Sequence, residues 1–191
     1  MNPLRPDVRV TLPDWVDEVV DPERRYPSDR ERIELAVRLS RENVVRRTGG
    51  PFGAAIFEEP SGQLVGIGVN SVVRLGNATL HAEMVAYMTA QRTQGTWSLA
   101  APGLTPHVLA SSCEPCAMCL GAVLWSGVGR VITAAARDDA TRLGFDEGPV
   151  FPESYRYLEA RGVRFDRHVM RAEAVAVLEL YRSQGGPIYN A

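Results

Sequence analysis

His81-Ala82-Glu83 and, further along, Pro115-Cys116-Ala117-Met118-Cys119 are the two stretches on which the reading of this chain turns. One imidazole and two thiols make three ligands for a tetrahedral metal ion, zinc by preference, and leave a fourth position open. A closed structural site normally takes four protein ligands, so three beside an acid point to a catalytic centre. Cys116 and Cys119 are three apart, which puts both on one face of a helix. Pro115 suits the first turn of that helix, where its missing N–H would have no partner anyway. The positive end of the helix then favours both thiolates. His81 and Glu83 are two apart, about 200° around a regular helix, so they converge only at a helix start. The residues therefore predict one zinc per subunit, with a bound water or hydroxide, held by His81, Cys116 and Cys119. Glu83 is then the acid that takes a proton from that water and passes it to the substrate.

Working outward, Ser28 and Glu31 form a capping box, and Ile33, Ala36, Val37, Ser40 and Val44 recur at helical spacing up to Gly49-Gly50-Pro51. A helix over 29–47 is expected. Phe52 to Glu58 and Leu64 to Val69 read as a hairpin around Pro60 and Gly62, with neither strand alternating strictly, as strands buried on both faces would. A helix over 80–94 follows, with Thr79 as its expected cap. Next come a strand over 107–111, a helix over 116–126 ended by Gly127, and a strand over 130–136. Residues 137–154 read as one long irregular loop, of the kind that often carries function. A short helix over 155–160, an edge strand over 163–167 and a helix over 172–183 complete the pattern. Alternating strands and helices predict an α/β layered domain over 28–184. A proline-dense arm precedes it over 1–27, and a tail that cannot stay helical follows over 185–191.

Composition narrows the chemistry. All 21 basic residues of the 191 are arginine, which excludes a lysine Schiff base or any other catalytic lysine. Net charge is -2, and the ten arginines of the first fifty residues are matched by ten acids, so neither nucleic acid nor an anionic membrane is an expected partner. No apolar run is long enough to span a bilayer, and no signal segment opens the chain. Three cysteines, two of them in a C-x-x-C, suit metal chemistry in a reducing compartment, so a cytoplasmic location is expected.

Each fragment alone is commonplace, but in order they form the H-x-E…P-C-x-x-C pattern of zinc nucleobase deaminases. Together with Gly50-Pro51-Phe52-Gly53-Ala54, Gly68-Val69-Asn70 and Ser112-Cys113-Glu114-Pro115-Cys116-Ala117-Met118-Cys119-Leu120-Gly121-Ala122, the chain resembles the cytidine deaminase-like superfamily over about 28–136. That resemblance implies a three-layer α/β/α sandwich around a five-stranded mixed sheet, and a homodimer or larger assembly. Ser111 to Cys116 with Leu143-Gly144-Phe145-Asp146-Glu147 resembles, within it, the bacterial guanine deaminases. This implies hydrolysis of guanine to xanthine and ammonia in purine catabolism. It also implies that Asn70 hydrogen-bonds the base, Phe52 and Trp125 line its pocket, and the Ala82 backbone orients it. Glu147 would be a second proton shuttle, with Asp146 beside it the alternative for that role. Tyr189 would close a pocket, its own or that of a partner subunit. Nothing in the residues themselves chooses guanine over ammeline, cytosine or another small amino-substituted base. A tRNA adenosine deaminase shares the metal signature, but the acidic pI and Asp146-Glu147 in the rim loop disfavour it. Cys113, His107 and His168 read as structural.

Overall fold

The computed structural model describes residues 8–190. Residues 1–7 of the proline-dense arm, with Pro3 and Pro6, lie outside that range, as does Ala191. From residue 8 the chain runs without regular structure and then through a turn to a four-residue helix, α1 (Val16–Val19), whose neighbour Trp15 is buried, as is Tyr26. The arm thus contributes side chains to the core.

Helix α2 (Asp29–Val45) starts at the capping box expected of it: the Ser28 hydroxyl accepts from the Glu31 N–H, and the Glu31 carboxylate accepts from the Ser28 N–H at 3.0 Å. Strands β1 (Gly53–Glu58) and β2 (Leu64–Val69) form the hairpin. A one-turn helix α3 (Val72–Leu75) leads to α4 (Ala82–Gln94), then β3 (His107–Cys113), α5 (Ala117–Ser126) and β4 (Arg130–Ala135). The chain closes with α6 (Arg137–Thr141), α7 (Pro152–Glu159), β5 (Arg164–Asp166) and α8 (Arg171–Ser183).

The five strands lie in the order β2-β1-β3-β4-β5, with β1 antiparallel to both its neighbours and β3, β4 and β5 parallel. The mixed five-stranded sheet is the one the resemblance implies. Alternate residues serve opposite faces, as the two-residue period of a strand requires. Ala55, Phe57, Val108, Ala110 and Ile132 join a core with α2 and α8, while Ala54, Ile56, Leu109 and Val131 join a second core with α4, α5 and α7. Both faces are covered, which is why β1 and β2 read as continuous apolar runs.

Helix α4 sits unusually close to β2. A Cβ built on Gly68 would lie 2.0 Å from the Ala82 carbonyl and 2.5 Å from the Ala86 nitrogen, so only glycine admits the helix start at this depth. Two helix starts differ from expectation. Thr79 spends its hydroxyl on Asn77 Oδ1 at 2.8 Å, and His81 occupies the cap position of α4 in extended conformation. Cys116 likewise stands at the cap of α5 and not inside it. Residues 137–154 are also more ordered than an irregular loop: Asp139 accepts from the Ala136 N–H at 2.9 Å and pairs with Arg171, which seeds α6, and Pro152 starts α7. The irregular part shrinks to residues 142–151.

Candidate active site

Two helix starts meet at one end of the sheet, where β1 begins and β2 and β3 finish. His81, capping α4, and Cys116, capping α5, lie 3.5 Å apart from Nδ1 to Sγ. Cys119, one turn into α5 and fully buried, lies 3.7 Å from the same nitrogen. All three donor atoms fall within 4.8 Å of one another. A tetrahedral ion with ordinary zinc bond lengths would hold imidazole nitrogen and thiolate sulfur about 3.6 Å apart, so both spacing and donor chemistry fit zinc. The cap positions explain the fit. An extended cap residue points its side chain away from the helix cylinder, freeing His81 and Cys116 to turn toward each other.

The local charges are arranged around this triad. The Cys116 thiol is lowered to about 4, chiefly because Cys119 donates a hydrogen bond to it and His81 adds another. Cys119 shifts the opposite way for the same reason and because it is buried. Between themselves the two thiols share one proton, which a dication would displace. Burial opposes a charge on His81, but the Cys116 thiolate outweighs it and raises the imidazole's affinity for a proton. Glu83 is 6% exposed; burial, then the nearby Cys116 thiolate, push its carboxyl up. Ser111, on β3, donates to Glu83 Oε1 at 3.1 Å and fixes its rotamer.

Glu147 reaches the same pocket from the loop over 142–151. Its carbonyl accepts from the Ala117 N–H at 2.9 Å, pinning the loop to the start of α5. Burial, then Cys116 and Glu83, push its carboxyl up to about 8. Asn70 is 1% exposed: its Oδ1 accepts from the Val72 N–H at 3.4 Å, while its Nδ2 is buried with no partner among the described residues, a donor at the pocket wall. Phe52 completes the wall and meets Phe145 edge-on at 5.1 Å. Ala82 is buried in the first turn of α4.

The tail lies over this same chain's pocket. Tyr189 packs on Phe145 at 5.2 Å and on His81 at 6.5 Å between ring centroids, and its hydroxyl sits where a Cβ on Gly50 would intrude at 2.5 Å. Asn190 clamps the loop from both sides: its Nδ2 donates to the Asp146 carbonyl at 2.7 Å, and the Asp146 N–H donates to its carbonyl at 3.0 Å. With the tail in place the cavity holds only about 20 Å³.

Two expected residues fall elsewhere. Trp125 is 76% exposed on the outer side of α5, beside Leu124 and Tyr157, and does not line its own chain's pocket. The reason is helical phase: six residues beyond Cys119 is about 600°, which turns the side chain away from the buried stripe. Asp146 is exposed and accepts from the Gly148 N–H at 2.8 Å, so its carboxylate shapes the loop and does not face the triad. Ser111 and Asn190 were not singled out as site residues. Ser111 sits in a fully buried strand where a polar residue signals a partner, whereas nothing in the sequence marks Asn190.

The pattern of the cytidine and deoxycytidylate deaminase zinc-binding region matches residues 27–135. The chain belongs to this deaminase family. Among its curated relatives, the guanine deaminase of Bacillus subtilis is 36% identical over 133 residues, 70% of this chain and 81% of that protein. A solved guanine deaminase from Nitrosomonas europaea superposes with a TM-score of 0.88 at 37% identity, covering 93% of this chain and 97% of that one. Another solved structure, in complex with 2,6-diaminopurine, gives a TM-score of 0.89 at 39% identity over 95% of this chain and 96% of that one. As a member of a zinc-binding deaminase family, the chain is a zinc-dependent aminohydrolase.

Proposed function

We propose that this deaminase converts guanine and water to xanthine and ammonia. The observation that carries the reading is a pair of acids, the buried Glu83 and the half-buried Glu147, beside the His81, Cys116 and Cys119 triad, with the Asn70 amide at the wall. Hydrolytic deamination needs two proton movements, one from the attacking water to the ring and one onto the departing amine. One zinc per subunit, held by the triad, would supply a water that loses its proton near neutral pH. Glu83 accepts that proton as the water oxygen adds to C2 and delivers it to the neighbouring ring nitrogen. Glu147, whose affinity for a proton is raised by burial and by the nearby Cys116 and Glu83, gives its proton to the amine as the C2–N bond breaks and takes the C2 hydroxyl proton as the carbonyl forms. Asn70 donates to an acceptor on the base, Phe52 packs on its face and the Ala82 backbone orients it.

A cavity of about 20 Å³ is far below the roughly 300 Å³ of a small-molecule pocket, so Tyr189 and Asn190 swing out to admit the base and return over it. The exposed apolar face of α5 and α7, with Trp125, Leu124 and Tyr157, is the contact face of a homodimer. The thiol-based metal site suits a cytoplasmic enzyme of purine breakdown. Among the described residues no helix is long and apolar enough to cross a membrane.

The test is incubation of the zinc-loaded chain with guanine, cytosine, ammeline and tRNA, following ammonia and the product's ultraviolet spectrum. Guanine alone should give rapid ammonia with equimolar xanthine. Ammonia from cytosine but not guanine, or inosine formed in tRNA, would contradict the assignment.

A further inference from the structure

The proline-dense arm takes no part in the chemistry above, but one of its side chains ends three hydrogen bonds from the backbone of Asn70. Asn43, on α2, is fully buried and uses its whole amide. Its Nδ2 donates to the Gly50 carbonyl at 2.9 Å and to the Asn70 carbonyl at 3.0 Å, and its Oδ1 accepts from the Thr48 hydroxyl at 2.7 Å. That hydroxyl accepts in turn from Nε1 of Trp15, in the arm, at 2.9 Å. The direction of every bond is fixed by its partners. Two carbonyls require the N–H groups of the amide, which leaves its oxygen for the Thr48 proton and the Thr48 lone pair for the indole.

The two carbonyls belong to the segments that carry the pocket wall. Gly50 also accepts from the Phe52 N–H at 2.9 Å and faces the Tyr189 hydroxyl, while the Asn70 N–H donates to the Phe52 carbonyl at 3.0 Å. Both segments lie beyond the last register pair of β1 and β2, Gly53 with Val69, so the strand ladder places neither carbonyl. Asn43 does. We propose that Asn43, oriented by Thr48 and through it by Trp15, is the positioning residue of the base-binding wall, setting where the Asn70 amide and the Phe52 ring stand. This rests on the reading in which those two side chains contact the base, and it gives the arm a part in recognition. A buried, fully bonded amide fixes backbone position and moves no proton. Disturbing it therefore weakens binding of the base and leaves the proton steps at Glu83 as they are.

Steady-state kinetics on guanine with the zinc-loaded full chain test this. Thr48→Val removes one half-buried hydroxyl and Trp15→Phe one indole N–H, so both variants are expected to fold, which circular dichroism checks. Thr48→Val should raise KM about fivefold and Trp15→Phe about twofold, with kcat within about twofold of the parent and zinc content unchanged. Thr48→Ser keeps the hydroxyl and should restore the parent KM. Asn70→Ala is the reference: it should raise KM further, and adding Thr48→Val to it should bring no additional rise. A raised KM in Asn70→Ala beside unchanged KM in both Thr48→Val and Trp15→Phe would overturn this inference alone. So would a Thr48→Val defect that Thr48→Ser shares, or one that adds in full to that of Asn70→Ala. No turnover of guanine, or an Asn70→Ala variant with the parent KM, would overturn the base-binding reading and this inference with it.

Discussion

The triad and the cover above it are built in opposite ways. His81 and Cys116 cap two helices that begin on a buried sheet, and Glu83, Cys116 and Cys119 are all at least nine-tenths buried. The cover, formed by the loop over 142–151 and the tail after Gly185, is held by a few hydrogen bonds: Asn190 to Asp146, and the Tyr181 hydroxyl to the Pro187 carbonyl at 2.7 Å. Rigid elements carry the metal-ligating residues and Glu83, and reversible contacts carry access and, in the proposed reaction, the second acid, Glu147. The first proton acceptor is fixed before the base arrives, whereas Glu147 comes into place as the cover closes.

Changes to the two sides should therefore differ in kind. The largest effect is expected from Glu83→Gln, which should keep its zinc and lose about a thousandfold in kcat or more, measured as xanthine formation beside metal content. Glu147→Gln comes next, with a loss of about a hundredfold. It also has a signature in pH. In the proposed reaction Glu147 acts in its protonated form, and its affinity for that proton is raised, so activity should fall as pH rises through the raised value. That limb should lie no higher than about 8, because a bound dication can only lower it, and the variant should lack it. Gly68→Ala strikes the frame and not the chemistry. It forces a Cβ into the Ala82 carbonyl, and chemical denaturation should show a loss of about 2 kcal/mol together with weaker zinc retention. The smallest effect is expected from Asn190→Ala, which frees the cover: KM and kcat should change only a few-fold, with faster product release in single-turnover experiments.

The same division governs what could be read from the sequence. The triad was legible because metal chemistry restricts residue types and helix starts restrict spacing, and the capping box of α2 because its partners are three residues apart. Strand and helix alternation predicted the α/β layering, while the five-stranded mixed sheet came only with the family resemblance. Local pattern could not say which residue caps α4, since Thr79 and His81 both stand before the apolar run and only tertiary packing against Gly68 selects His81. Trp125 misled because a motif fixes sequence distance, while the side of α5 it occupies follows from helical phase relative to the buried stripe. Asn190 was invisible because its role depends on two backbone groups of a loop far away in sequence.

The central claim is that His81, Cys116 and Cys119 hold one zinc on which guanine hydrolysis depends, while the cover controls access. Its most direct test is to strip the purified chain with a chelator and add zinc back stepwise, following xanthine formation from guanine. The account predicts that turnover vanishes with the metal and returns in proportion to zinc, with a break at one ion per chain. Guanine turnover that persists in the zinc-free chain, or that needs a second ion to return, would contradict it.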